Sequence, residues 1–350
     1  MLLARHRGLA VGVSCVALVV AFVAAIALGS VSIPLRQVVA ILAGGHADQP
    51  AWRTIVVEFR LPKAITAALA GAGLGVAGLQ LQTLFRNPLA DPFILGISSG
   101  ASLGVAFVVL AAGGAAGSTL LAGLGPLADI GVAGGAVVGA ALVMAIVLAV
   151  ARRVRSSVTV LIVGLMVGYL TTAIVSLLVW GAVSERLRAY LVWSFGSFGG
   201  VDWPKLRILA PAVAVGIVAA LLTIKQLNAL LLGEEYAASM GVAVRRARML
   251  TIGAASLLAG VVTAFCGPIA FLGIAVAHLA RAVTGTSDHR VLVPACAVLG
   301  ATIALVASVA ASLPGSDRVL PLNAVTSLIG APVVVVILLR SRRFSRAVVT

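Results

Sequence analysis

Long apolar runs separated by short polar segments dominate this chain. Ten such runs can be drawn, at approximately 9–29, 61–84, 94–113, 129–150, 158–181, 206–225, 248–266, 269–284, 291–312 and 321–340. A helix of about 20 apolar residues matches the hydrocarbon thickness of a bilayer, and the alternating pattern of a membrane barrel strand is absent. Because a bilayer offers free backbone groups no partner, each span has to be a helix. The pattern therefore predicts an all-α polytopic membrane protein, one transmembrane domain over 1–350 with about ten transmembrane helices.

Composition agrees with this class and excludes a soluble enzyme. The mean hydropathy is +1.18, and only 10% of the residues are charged. The 38 glycines include Gly71, Gly75 and Gly78 on one predicted helix. Small residues in membrane helices mark helix contacts far more often than ligand sites. We therefore expect tightly packed helices.

Charge orients the chain in the membrane. The net charge is +15, and an even number of spans puts both termini on one side. With the termini inside, the inner segments hold most of the 25 Lys and Arg residues, as the positive-inside rule requires. We therefore expect a multi-pass membrane protein in contact with lipid and with both termini cytoplasmic. The positive charge does not indicate nucleic-acid binding, because that would need a basic soluble face.

A polar island at 226–248 interrupts the apolar pattern. Glu234 and Glu235 are placed where a helix N-terminus favours negative charge, and Gly241 stands where a left-handed C-terminal residue is expected. A polar helix between two spans buries nothing apolar except against a partner. We therefore predict a cytoplasmic docking helix at about 227–241. A solvated loop is the alternative.

The titratable residues limit the mechanism. Apart from His278 and Arg281 near an inner end, no Asp, Glu, Lys, Arg or His lies deep in a predicted span, whereas ion-coupled carriers usually need such groups there. None of Lys63, Lys205 and Lys225 follows a glycine, so a phosphate-binding P-loop is absent. Energy therefore has to come from a separate ATPase. An intramembrane hydrolase is disfavoured because His278 has no acidic partner in its span.

Three cysteines carry no recognisable chemistry. Cys15, Cys266 and Cys296 fall in or beside apolar runs and form no CxxC pair. We expect small buried hydrophobic residues with no redox or zinc role. The aromatic segment at 182–205 predicts an outer helix lying at the membrane surface.

Four segments resemble one known family in the right order. RLPKAITAALAGAGLGVAGLQLQTLFRNPLADPFILGISSGASLG at 60–104 resembles the signature of the iron-chelate and cobalamin uptake permeases, the FecCD family of ABC importer subunits. The segments at 233–242, 267–290 and 321–332 resemble the family's later blocks. LFRNPLADP followed by LGISSG is very specific. The resemblance covers nearly the whole chain.

The resemblance implies an assembly. It implies the type II ABC importer permease fold, with ten helices per subunit, and pairing with a second permease copy or a homologue around a central path. Two ATP-binding subunits on the inside would hold the ATP and Mg, and a substrate-binding protein would dock outside. This chain itself would bind no cofactor or metal and would not be an enzyme.

The resemblance also assigns roles to residues. The cytoplasmic gate falls on Asn87, Leu89, Ser156 and Ser157. ATPase coupling falls on Gly233, Glu234, Glu235, Ala238, Ser239, Met240 and Gly241. Docking of the binding protein falls on Arg60, Lys63 and Arg318.

Two of these assignments have a purely structural alternative. Asn87 and Pro88 also suit a turn that simply stops a helix. Arg60 and Lys63 also suit snorkelling anchors at the membrane interface. Two positions depart from the family pattern: Arg318 precedes Leu-Pro where many relatives have Glu, and Ala277 replaces the usual Pro before His278.

The resulting expectation is the membrane subunit of an ATP-driven importer of a bulky metal chelate, with an iron-siderophore complex as the first choice. Haem or cobalamin is the alternative cargo. The alternative of another class is a scaffold or sensor subunit that docks an ATPase without moving cargo.

Overall fold

The computed structural model describes residues 2–111, 127–154, 156–316 and 319–347. Within these ranges the chain is helical and no strand occurs. The fourteen helices of the described part are α1 (Leu2–Ala27), α2 (Leu35–Leu42), α3 (Pro50–Leu84), α4 (Ile97–Ala106), α5 (Leu127–Arg153), α6 (Ser157–Trp180), α7 (Ser184–Ser194), α8 (Trp203–Leu222), α9 (Ile224–Leu230), α10 (Glu234–Ser239), α11 (Val244–Cys266), α12 (Leu272–Thr284), α13 (His289–Ala311) and α14 (Leu322–Ala347).

The predicted spans correspond to helices, with different boundaries. Six described helices are long and apolar enough to cross a membrane, namely α3, α5, α6, α8, α11 and α13. Four shorter apolar helices, at Val11–Ala27, Ile97–Leu110, Leu272–Thr284 and Leu322–Val336, lie where the other four spans were predicted. The largest difference is at α3, which begins at Pro50 instead of 61 and includes a π-helical turn at Ile55–Arg60.

Helix α3 is the centre of the bundle. Of its most apolar 18-residue stretch, 83% is buried within the chain, and the helix packs against α8, α11, α12 and α13. Glycines allow the closest of these approaches. A Cβ added at Gly71 would collide with the Gly300 carbonyl of α13, and one added at Gly78 would collide with Gly273 of α12. The glycines predicted to mark helix contacts therefore do so.

A second pair of helices meets in the same way. Gly100 and Gly104 of α4 face Gly139 and Gly135 of α5, and an added Cβ at any of the four would run into the opposing backbone. Each helix thus approaches the other at main-chain distance, which small residues alone permit.

The outer helices of the bundle expose apolar side chains. Only 22% of the corresponding apolar stretch of α6, and 28% of that of α8, is buried within the chain. Leu170 and Leu177 on α6 and Leu222 on α8 are more than half exposed. In a membrane such faces contact lipid or another subunit, so their exposure here fits the predicted class. Cys15 is also exposed, on α1, which corrects the expectation that all three cysteines are buried.

The polar segments collect at the two ends of the bundle. At one end lie the turns after α3, α5 and α12 together with α9 and α10, all of them predicted to be cytoplasmic. At the other end lies α7, which corresponds to the helix predicted within 182–205. In the turn that follows α7, Ser197 N donates a hydrogen bond to Cys266 O at 2.8 Å. The segments that were predicted to lie on the same side of the membrane therefore lie at the same end of the bundle.

Asp288 caps the N-terminus of α13. Its carboxylate accepts a hydrogen bond from Arg290 N at 2.9 Å and another from Asn228 Nδ2 of α9 at 2.7 Å. These two bonds, the backbone one first, hold the pKa of the Asp288 carboxyl below its ordinary value of 3.8. The cap thereby connects two helices.

Replacing Gly71 by Ala should destabilise the bundle by about 1–3 kcal/mol, because the new methyl group overpacks against the backbone of α13. Gly253→Ala is the matched control, since an added Cβ at this helical position meets nothing within 4 Å. Thermal unfolding in detergent should show a lower melting temperature for the first variant only. Equal melting temperatures would contradict the close packing described for α3.

Asp288→Ala should cost about 1 kcal/mol of stability, the usual value of an N-cap, while Asp288→Asn should retain most of the cap. Since folding lowers the pKa of this carboxyl, its contribution is fully present above its ordinary value and is lost as the pH falls through the lower folded value. The melting temperatures of wild type and Asp288→Ala should therefore differ at pH 6 and converge in strong acid. A difference that grows on acidification would refute the assignment.

Candidate coupling and gating site

The predicted docking helix at 227–241 is two short helices in the structure. Helix α9 ends at Leu230, α10 begins at Glu234, and Gly233 between them has a φ of +110°. A side chain at this φ would be strained, so glycine permits the corner. The single helix predicted from the sequence is therefore wrong in this detail, because the break depends on one backbone angle.

Gly241 ends α10 as its sequence position indicated. Its φ is +82°, and the following Val242 N donates to Ala237 O at 3.0 Å. This is the left-handed helix cap that glycine favours. Glu234 and Glu235 form the first turn of α10, which confirms the predicted acidic N-terminus.

One side of the α10 segment points away from the bundle. Leu232, Tyr236 and Met240 follow each other at four-residue spacing and are 60%, 61% and 50% exposed. Glu235, Ala238 and Ser239 are exposed as well, whereas Ala237 is fully buried against the bundle. The segment therefore presents a mixed apolar and acidic surface that nothing in the described chain covers.

Glu234 points inward instead. Its Oε2 lies 2.7 Å from Arg248 Nη2 at the start of α11, and its Oε1 accepts a hydrogen bond from the Ser157 hydroxyl. The Arg248 side chain is only 4% exposed. Two residues that the sequence assigned to different roles, coupling for Glu234 and the gate for Ser157, are thus bonded to each other.

The first predicted gate segment is the turn after α3. Asn87 Oδ1 accepts from Leu89 N at 2.9 Å, which is the self-stabilised turn that an Asn-Pro sequence favours. His278 of α12 bonds the Pro88 carbonyl through Nε2 at 2.9 Å. Leu89 is 44% exposed. The turn stops the helix, as the structural alternative stated, and also holds Leu89 outward.

The second predicted gate segment is the turn before α6. Ser156 caps that helix by accepting from Thr159 N at 3.3 Å, and Ser157 is its first residue. This turn, the end of α3 and the α10 segment line one cleft of about 800 Å³. The structure therefore brings the coupling residues together with Ser156 and Ser157 at one end of the bundle.

A buried polar chain, which the sequence did not reveal, connects α9 to α3. Asn228 Oδ1 accepts from both the backbone N (2.9 Å) and the ring Nδ1 (2.7 Å) of His289, whose Nε2 lies 2.8 Å from Thr83 Oγ1. Because Asn228 Nδ2 donates to Asp288, its Oδ1 is the acceptor, which places the ring hydrogen of His289 on Nδ1. The single hydroxyl hydrogen of Thr83 is then shared between His289 Nε2 and Leu79 O, which lies 2.9 Å away. Beside them, Arg281 Nη1 donates to Gln82 Oε1 at 2.6 Å. Gln82 and Thr83, polar residues at the end of a long apolar run, were the available signal.

The predicted outer docking residues lie at the opposite end. Arg60 is 8% exposed, and its guanidinium donates to Ile26 O at 2.9 Å, to Ala27 O at 2.8 Å and to Val31 O. It therefore caps the C-terminal end of α1. Lys63 Nζ donates to Ser312 Oγ at 2.6 Å on the rim of an outer pocket. Arg318 lies outside the described residues, and binding-protein docking by the three residues stays a prediction.

Other chemistry receives no support from the described residues. No three His, Cys, Asp or Glu side chains in this part of the chain are placed to hold a metal ion. Gly96 to Gly100 spell GxSxG, which the sequence interpretation overlooked, but Ser98 lies buried on α4 with its hydroxyl 3.2 Å from Thr263 Oγ1. A nucleophile elbow needs an exposed serine between a strand and a helix, with a histidine base.

The relatives of the chain identify the family. A model of the FecCD transport family matches residues 17–340. The vitamin B12 import system permease protein BtuC of Klebsiella pneumoniae subsp. pneumoniae is 38% identical over 285 residues, covering 81% of this chain and 82% of that protein. BtuC of Escherichia coli O9:H4 is 33% identical over 302 residues, covering 86% and 89%.

The fold has a solved counterpart. A structure described as an inward-facing conformation of a metal-chelate type ABC transporter matches with a TM-score of 0.81 at 28% identity, covering 95% of this chain and 99% of that chain. Family model, sequence relatives and fold thus agree over most of the chain. The chain belongs to the FecCD transport family and is a permease subunit of an ABC importer of that type.

Proposed function

We propose that this chain, paired with a second copy or a homologue, lines the path of an ATP-driven importer that carries a bulky metal chelate into the cytoplasm. The observation that carries the proposal is the meeting of an outward-facing docking helix, α10, with the Ser156–Ser157 gate turn and the end of α3 in one cleft at one end of the bundle. Two ATP-binding subunits contact that end. A substrate-binding protein delivers cargo to the opposite end.

The distribution of charge supports an external energy source. In the six long described spans, Asp, Glu, Lys, Arg and His occur toward the helix ends and leave the middles without charge. His278, Arg281 and His289 lie toward the docking end, and their hydrogen bonds reach the ends of α3 and α9. A proton relay needs a chain of titratable groups through the membrane. ATP hydrolysis in partner subunits needs none.

The docking surface suits an ATPase contact. Glu235 and the stripe of Leu232, Tyr236 and Met240 remain exposed after the chain has folded. Exposed aromatic and methionine side chains are typical of protein interfaces. The end that carries this surface also gathers the basic turns, so we place it, with both chain termini, on the cytoplasmic side of the bacterial inner membrane.

The cargo is proposed from the relatives. Since both BtuC relatives carry the name of a vitamin B12 import permease, a corrinoid is the first cargo to test. An iron-siderophore complex or haem is the second, because the family resemblance extends to these chelates and the matched structure is described as metal-chelate type. All three are large metal complexes, and they differ in the ligand around the metal.

Vesicles containing the complete importer should take up cyanocobalamin in an ATP-dependent manner, and the uptake should persist when the proton gradient is collapsed at constant ATP. Ferric siderophore and haem, offered in parallel with their own binding proteins, identify the cargo if cyanocobalamin is not taken up. Failure of all three in a complex that hydrolyses ATP would favour the scaffold alternative. Uptake that stops with the gradient would refute the energy source.

Cysteine at Asn87, in a chain with Cys15, Cys266 and Cys296 replaced, should crosslink to its symmetry mate in one nucleotide state at least about tenfold better than in another, a shift of about 1.4 kcal/mol between the two states. The physical reason is that rocking of two subunits opens and closes the inner end of the path. Locked protein should not transport and should recover on reduction. Crosslinking that is independent of nucleotide would show that the gate lies elsewhere.

A further inference from the structure

Glu234 lies between the docking helix and the second predicted gate turn. Its two carboxylate oxygens are used separately: Oε2 pairs with Arg248 of α11, and Oε1 accepts from Ser157 at the start of α6. The carboxylate is 31% exposed and the arginine 4% exposed. One side chain of α10 thus bonds groups from two other helices and links three helices in all.

The same corner holds the backbone of that turn. Arg248 Nη1 donates to Val154 O at 2.9 Å, and Arg245 Nη2 donates to Arg152 O at 2.7 Å. Both arginines belong to the first turns of α11, which follows α10 directly. The turn between α5 and α6 is therefore held at two carbonyls and one hydroxyl by the α10–α11 corner.

The first gate turn is attached differently. Its Pro88 carbonyl is bonded by His278 of α12, and no hydrogen bond between residues 86–91 and α10 occurs in the described part of the chain. A displacement of α10 therefore acts on the Ser156–Ser157 turn through direct bonds. It reaches the Asn87–Leu89 turn only through the packing of the bundle or through the Asn228–His289–Thr83 chain.

We infer that Glu234 is a positioning residue that transmits movement of the docking helix to the Ser156–Ser157 gate turn. The inference rests on the proposed function, because it takes α10 to be the element that an ATPase moves. Charge-assisted hydrogen bonds are about twice as strong as neutral ones, so the carboxylate keeps the turn attached while α10 shifts. Glu235, the next residue, is exposed.

The test compares Glu234→Gln with Glu235→Gln, which change the same charge one residue apart. Each is made in the complete complex with the native cysteines replaced and Ser156→Cys as a crosslinking reporter. In Glu234→Gln the nucleotide preference of crosslinking at 156, and the uptake per ATP hydrolysed, should fall about tenfold, the order expected for one lost charge-assisted hydrogen bond. Glu235→Gln should instead weaken binding of the ATPase and keep the nucleotide preference.

Ser157→Ala provides a second variant that leaves the ion pair intact. It should lower uptake per ATP as Glu234→Gln does, and the double variant should be no worse than Glu234→Gln alone, because neutralising the carboxylate already removes the charge-assisted bond that Ser157→Ala removes. Additive losses, or a wild-type crosslinking preference in Glu234→Gln, would overturn the inference. Absence of ATP-driven uptake in the unmodified complex would instead overturn the proposed function.

Discussion

The main-chain contact between α3 and its neighbours is the interaction on which the rest of the structure depends. Water is absent from the bilayer core, so the helices gain no hydrophobic free energy by meeting and rely on close packing. Gly71 and Gly78 let α3 approach α13 and α12 more closely than any side chain would allow. The end of α3 then holds the turn with Asn87 in place, because the helix that carries it cannot move independently.

Charged side chains bond distant elements to each other near the two ends of the bundle. At the docking end, Asn228, His289, Thr83 and Glu234 join elements that are far apart in the sequence. At the opposite end, Arg60 of α3 caps α1 and so joins these two helices. The apolar middle of the bundle suits passage of a bulky cargo without a charged binding group. The polar ends suit contacts with partner proteins.

The two predicted gate turns differ in how they are tied to the docking helix. One is bonded to α10 and α11 directly, and the other is bonded to α12. Movement at the docking surface therefore has a short route to one turn and a longer route to the other. Under the proposed function, such an arrangement permits the turns to open in sequence, with Glu234 on the shorter route.

The sequence alone determined the class, the family, the order of the apolar helices and the segments that share an end, because bilayer thickness and charge bias act on composition and length. It also placed Glu234 and Glu235 correctly at a helix N-terminus and Gly241 at the C-terminal cap of that helix, since helix ends have local signatures. The tertiary structure decided the corner at Gly233, the outward position of Cys15, the burial of Arg60 and the bonds of Glu234 to Ser157 and Arg248. These depend on which helices become neighbours, and a contact between residues 77 positions apart has no local signature in the chain.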